Sequence, residues 1–319
     1  QLALGGVRPQ PPPRRPPAGR RPVGTEVVLG PARFDAGTGR LRELHGLPVA
    51  GPVFELWRGP TDNDRSEARG SFELAGPEET FGEGAPGPSS ESRWRAHGLD
   101  RLTSRLRDLQ ASEEHLDVLT RVAAADSART VDVGYRWSRD PAEPGTIWLR
   151  VEVVPSPDWD CTWPRVGVRL DLPTDFEAVE WYGTGPRESY PDSRAAARVG
   201  RYTATVEELN VAYSRPQETG HRAELRQLVV SGDGRRLIVR TQPGAGGHRP
   251  GFTLTRHTPH DLDRARHPYE LPRHDRIFLY LDEAVHGLGS RACGIDVLPQ
   301  HALWPRACTF TVGFPDPTA

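Results

Sequence analysis

The chain has 319 residues, enough for one large or two ordinary domains. Its 41 basic residues are all arginine and 43 acids nearly cancel them, so the net charge of -2 leaves no electrostatic footprint for nucleic acid or an anionic membrane. With 33 glycines and 32 prolines, about a fifth of the chain, many turns and short strands are expected. Cys161, Cys293 and Cys308 lie far apart without CxxC spacing, which indicates neither a zinc site nor a disulfide framework and suits a reducing, cytoplasmic compartment. No apolar run approaches membrane length, and the opening QLALGG is too short and uncharged for a signal peptide. Methionine is absent even at position 1, which reads as a fragment or a processed chain.

Residues 1–24 contain PQPPPRRPPAGRRP and read as an extended linker or a remnant of a preceding domain, since proline lacks the amide donor that helices and central strands need. From Thr25 onward apolar residues alternate with period two. The pattern breaks between Arg65 and Ser92, where GPEETFGEGAPGPSSES predicts a long mobile loop. It resumes with Val131, Val133, Tyr135 and Trp137 on one face, then Leu149, Val151 and Val153, then Val166, Val168, Leu170 and Leu172. ATVEELNVA (204–212) supports one or two helical turns. LVVSGDGRRLIV (228–239) is a hairpin with Asp233-Gly234 at its tip. RIFLYLDE (276–283) and CTFTVGF (308–314) add two strands. Many short strands with polar outer faces predict one all-β domain over residues 25–317, built of wide antiparallel sheets packed face to face.

Chemistry is harder to place. Acid–base hydrolysis needs a pair of carboxylates in defined surroundings, and Glu188 and Glu218 are the best candidates. Each stands near an arginine in sequence (Arg187, Arg222), which favours ion-paired loop anchors. His257, His260 and His267 are the one group with a ligand-like spacing. Pro259 between the first two argues against a regular helix and for solvated loop histidines. There is no phosphate-binding glycine loop, GxSxG or Walker pattern.

Four segments change the reading: RGPTDND (58–64), WYGTGPRESYPDS (181–193), PQETGHR (216–222) and HGLGSRACG (286–294). In this order and at these separations they resemble the C-terminal domain, or small chain, of glycoside hydrolase family 2 β-galactosidases. The resemblance covers about residues 25–317. It implies a wide antiparallel β-supersandwich related to galactose mutarotase-like folds. It also implies a role in hydrolysing terminal β-galactosides such as lactose, carried out with a partner. The catalytic glutamates of such enzymes belong to a (β/α)8 barrel, and this chain has neither the βα alternation nor the length for one. No catalytic residue is therefore expected here, and the isolated chain is expected to be inactive.

Further expectations follow from the resemblance. A structural polar network would involve Asp62, Asn63, Asp64, Arg187, Glu188, Tyr190, Asp192, Glu218 and Arg222. Ser189 departs from the asparagine, and Ser193 from the arginine, usual in the family. A lid over the active site would begin at Arg65, Ser66 and Glu67. Cys293 stands where some relatives place a tryptophan against the aglycone sugar, so it is either a wall of the substrate site or a small buried packing residue. No cofactor or metal is expected in this chain; Mg and Na are implied for the complete enzyme. The partners implied are a barrel-bearing large chain or preceding domains and a β-galactoside. A stand-alone carbohydrate-binding or mutarotase-like domain, and an inactive gene fragment, are the alternatives.

Overall fold

The computed structural model describes residues 22, 24–67, 70–75 and 84–318. The linker reading of residues 1–24 therefore falls almost wholly outside the described residues. In chain order the strands are β1 (Glu26–Leu29), β2 (Ala32–Asp35), β3 (Leu41–Leu44), β4 (Ala50–Glu55), β5 (Thr103–Ala111), β6 (His115–Ala123), β7 (Val131–Arg139) and β8 (Ile147–Pro155). Then come β9 (Arg165–Pro173), β10 (Ala178–Gly185), β11 (Arg198–Thr205), β12 (Gln227–Gly232), β13 (Arg235–Thr241), β14 (Gly251–Thr255), β15 (Arg276–Val285) and β16 (Cys308–Phe314). They form a seven-stranded sheet ordered β1-β2-β3-β4-β9-β15-β14 and a nine-stranded sheet ordered β11-β10-β12-β13-β16-β8-β7-β6-β5. Every strand pair is antiparallel.

The expected alternation is what closes the sandwich. Val131, Val133, Tyr135 and Trp137 of β7 are buried, as are Leu149, Val151 and Val153 of β8 and Val166, Val168, Leu170 and Leu172 of β9. These side chains meet in one core between the sheets. Aromatic pairs span it: Phe34 on β2 lies 5.1 Å from Trp137, and Trp181 on β10 lies 5.9 Å from Phe252 on β14. The β12–β13 hairpin turns at Asp233 (φ 48) and Gly234 (φ 72), the paired positive angles of a type I′ turn.

Two expectations need correcting. Part of the Arg65–Ser92 stretch is folded rather than loop: α1 (Asp62–Arg65) runs into it, and α2 (Phe72–Ala75) and the start of α3 (Ser90–Ala96) lie within it. Phe72 and Ser90 are buried. Residues 68–69 and 76–83 of this stretch lie outside the described residues. Pro259 does not forbid a helix; it is the first residue of α4 (Pro259–Arg264), where a missing amide costs nothing. Thr258 and Asp261 cap that helix reciprocally. Residues 204–212 make a single turn, with Leu209 N–H donating to Thr205 O and Asn210 N–H to Glu207 O.

The strand register decides where the loops gather. Glu55, at the end of β4, pairs with Gly167 near the start of β9, and Arg165 pairs with Val285 at the end of β15. The chain thus leaves β4, enters β9 and leaves β15 at one end of the seven-stranded sheet.

Candidate active-site wall

At that end the four sequence segments converge. β10 approaches it with Trp181, Gly183 and Gly185 on its inner face. The indole of Trp181 donates to Thr184 O at 2.9 Å and lies under the Arg222 guanidinium, 5.2 Å from the ring centroid. A Cβ at Gly185 would sit 2.7 Å from Tyr202 and 3.1 Å from the Trp181 ring, so only glycine fits beneath these aromatics. The Trp-x-Gly-x-Gly pattern is a size match on one face of a strand.

Beyond the turn, the acceptors reach neighbouring loops. Glu188 accepts from Gly220 N–H at 2.9 Å and from the Thr219 hydroxyl at 3.1 Å. Ser189, buried, accepts from Ala223 N–H at 2.9 Å and shares a 2.7 Å hydrogen bond with the Thr184 hydroxyl. The Tyr190 hydroxyl donates to Glu218 at 3.3 Å, and burial, with the Glu218 charge adding to it, raises its pKa well above the ordinary value. Both oxygens of Asp192 accept from backbone, Leu288 N–H at 2.9 Å and Gly289 N–H at 2.8 Å. A Cβ at Gly287 would lie 2.6 Å from the Asp192 carboxylate, so glycine there keeps the approach open.

The TDND segment forms α1, capped reciprocally by Thr61 and Asp64. Asp64 is ion-paired with Arg58 at 2.7 Å, and Arg58 also donates to His286 O at 2.6 Å and Gly287 O at 3.1 Å. Asn63 donates to Gly289 O at 2.8 Å and accepts from Ala292 N–H at 3.0 Å. The Asp62 carboxylate faces solvent, 3.7 Å from Arg215. Arg65 pairs with Glu91 and Asp263, Ser66 donates to Arg291 O, and Glu67 accepts from Ser89 N–H.

Beneath the loops lies a buried charge cluster. Arg165 is 3.0 Å from Glu218 and 3.0 Å from Asp282, with all three side chains at most 3% exposed. Asp282 also faces His221 at 3.3 Å. On the same outer face of the sheet Arg169 holds Glu55 at 3.0 Å, and burial, opposed by Arg169, pushes the Glu55 carboxyl up to about 7. Arg222 donates to Leu209 O, Gly220 O and Pro186 O, and burial pulls its pKa down to about 10.

Glu188 and Glu218 are loop anchors, but not through the arginines beside them in sequence. Glu188 is held by an amide and a hydroxyl, Glu218 by Arg165, and Arg222 serves backbone carbonyls. Arg187 is exposed and makes none of these bonds. Cys293 is exposed on the Ser290–Gly294 turn, which removes the buried-packing reading. The histidines of 257–267 are not simply solvated either. His260 stacks 6.4 Å from Trp57, and His257 is partly buried. Among the described residues no group of His, Cys, Asp and Glu side chains is placed to hold a metal ion. Nor is any described helix long and apolar enough to cross a membrane.

Arg165, Asp282, His221 and Arg58 were missing from the expected network. Arg58 and His221 stand inside the quoted motifs. Arg165 and Asp282 occupy strand faces that read as polar and therefore as solvent-facing. The near-continuous apolar run of RIFLYL was the available sign that β15 is covered on both sides.

Residues 31–314 match the family described as β-galactosidase small chain. The chain belongs to that family. Its small-chain sequence is 48% identical over 319 residues to a β-galactosidase of Arthrobacter sp. (strain B7), covering 98% of this chain and 30% of that protein. It is 38% identical over 200 residues to a β-galactosidase of Vibrio cholerae serotype O1, covering 62% of this chain and 18% of that one. The chain thus spans less than a third of the length of these relatives. Among solved structures, a GalM/aldose epimerase homologue from C. elegans aligns with 91% of this chain and 97% of its own, at 11% identity and a TM-score of 0.43.

Proposed function

We propose that this chain is the C-terminal portion, or small subunit, of a β-galactosidase and supplies one wall of a sugar site whose catalytic glutamates lie on a barrel carried elsewhere. The convergence of the four small-chain motifs into one bonded loop cluster carries this reading. Glu188, Glu218, Asp64, Asp192 and Asp282 are all engaged by amides, hydroxyls, arginines or histidine, which makes them anchors rather than a free acid and base. The wall is the loop from His286 to Gly294, fixed from three sides by Arg58, Asn63 and Asp192, with Cys293 on its exposed turn. Arg65, Ser66 and Glu67 root the adjoining lid. The substrate is a β-galactoside, and the partner is a barrel-bearing chain or domain in the same cytoplasmic compartment.

The test is an assay of a chromogenic β-galactoside with the purified chain, alone and with a barrel-bearing partner. Activity is expected only in the mixture. Turnover by the chain alone that disappears in Glu188→Gln or Glu218→Gln would overturn the proposal.

A further inference from the structure

Beside the loop cluster, between α2 and the segment leading into β16, lies a cleft of about 230 Å³. Its walls are apolar, from Phe72, Val297 and Pro299, and one side is the Trp304 indole. Trp304 is 43% exposed. Four polar residues also line the cleft: Glu73 and Thr162, which bond to each other while Arg93 pairs with Glu73, and His286 and Asp296.

His286 is 2% exposed, and its Nδ1 lies 3.0 Å from the Leu303 amide. A backbone amide can only donate, so Nδ1 is the acceptor and the ring proton sits on Nε2. Among the described residues no acceptor takes that Nε2–H. Asp296 accepts from the Ser71 hydroxyl at 2.7 Å through one oxygen, which leaves acceptor capacity on the carboxylate. A buried donor of fixed tautomer, an acceptor and an aromatic plate thus border one small space.

We propose that this cleft is a binding site for a single neutral pyranose ring, sharing His286 with the proposed wall but not its Cys293 turn. A sugar ring has an apolar C–H face that suits the indole and hydroxyls that suit both His286 Nε2–H and Asp296. The volume, just below the roughly 300–1,000 Å³ of drug-sized pockets, admits one ring and no more. A purely aliphatic ligand would leave the His286 donor unpaired, and an anion would meet the carboxylates of Asp296 and Glu73.

The test titrates methyl β-D-galactopyranoside and methyl β-D-glucopyranoside into this chain without any catalytic partner, followed by saturation-transfer NMR, with cyclohexanol as the apolar control. Because no hydrolysis is involved, failure here leaves the small-chain reading standing, and failure of that reading leaves this titration interpretable. Saturable sugar binding is expected, weakened at least fivefold by Trp304→Ala and by His286→Asn. The asparagine keeps an acceptor near Leu303 N–H while removing Nε2–H. Trp304 is exposed, so Trp304→Ala decides the matter even where His286→Asn fails to fold. Absence of saturable binding, sugar binding unchanged in Trp304→Ala, or cyclohexanol bound as tightly as sugar would each overturn the proposal.

Discussion

Replacing Arg165 with methionine removes the one cation shared by Glu218 and Asp282. Both contacts are 3.0 Å and all three side chains are almost fully buried. Removing one partner of a buried pair costs about 3–5 kcal/mol, because the charge left behind has lost both water and its counter-ion. Two carboxylates are stranded here, so the upper end applies. Unfolding entropy near 2.1 cal/mol/K per residue gives about 0.7 kcal/mol/K for a chain of this size, so Arg165→Met should lower the melting temperature by about 7 °C. Adding Glu218→Gln removes one stranded charge, while Asp282 keeps His221 at 3.3 Å, so the double variant should melt above the single one. Differential scanning calorimetry of the three proteins at neutral pH tests this. A loss under about 2 °C for Arg165→Met, or a double variant no better than the single, would refute the stranded-charge reasoning.

Glu55 supplies a pH signature. Its folded pKa of about 7 lies above the ordinary 4.5, with burial as the main cause, so between these values the folded state keeps a proton that the unfolded chain has released. Stability should therefore fall as pH rises from about 4.5 to 7, by at most about 3 kcal/mol, and Glu55→Gln should flatten that slope in denaturant titrations. Identical slopes in the two proteins would remove Glu55 as its source. Cys293→Trp should change stability by no more than roughly 0.5 kcal/mol, since the turn is exposed. In the assembled enzyme proposed above, it should lower the Michaelis constant for lactose several-fold, on the scale of an aromatic contact of about 1 kcal/mol, with less effect on a substrate with a small leaving group. A lower melting point without substrate dependence would take Cys293 out of the sugar site.

The sandwich was legible because period two is a direct record of burial on one face. Val131 to Trp137 and Val166 to Leu172 point inward as read, and the Asp233-Gly234 tip behaves as its residues require. What alternation cannot show is a strand buried on both faces. Arg165 and Asp282 read as a solvated side, yet both are buried against Glu218 and His221 of the 216–222 loop. Short helices were lost for a different reason. TDND and TPHD are Thr-x-x-Asp boxes, but four to six residues are too few to show a helical period. The loop cluster was half visible: its acceptors Asn63, Glu188 and Asp192 stood in the motifs, whereas the donors they meet are mainly backbone amides, which carry no sequence signal.

That last point bears on how the loops can vary. Asp192 holds the amides of Leu288 and Gly289, Glu188 holds that of Gly220, and Asn63 holds the amide of Ala292. Each bond specifies a side chain at one end only. The 286–294 turn can therefore exchange side chains at its tip, Cys293 among them, while Arg58, Asn63 and Asp192 keep its path. If the turn faces sugar as proposed, ligand preference and loop architecture are encoded at different addresses, and one can drift without dismantling the other.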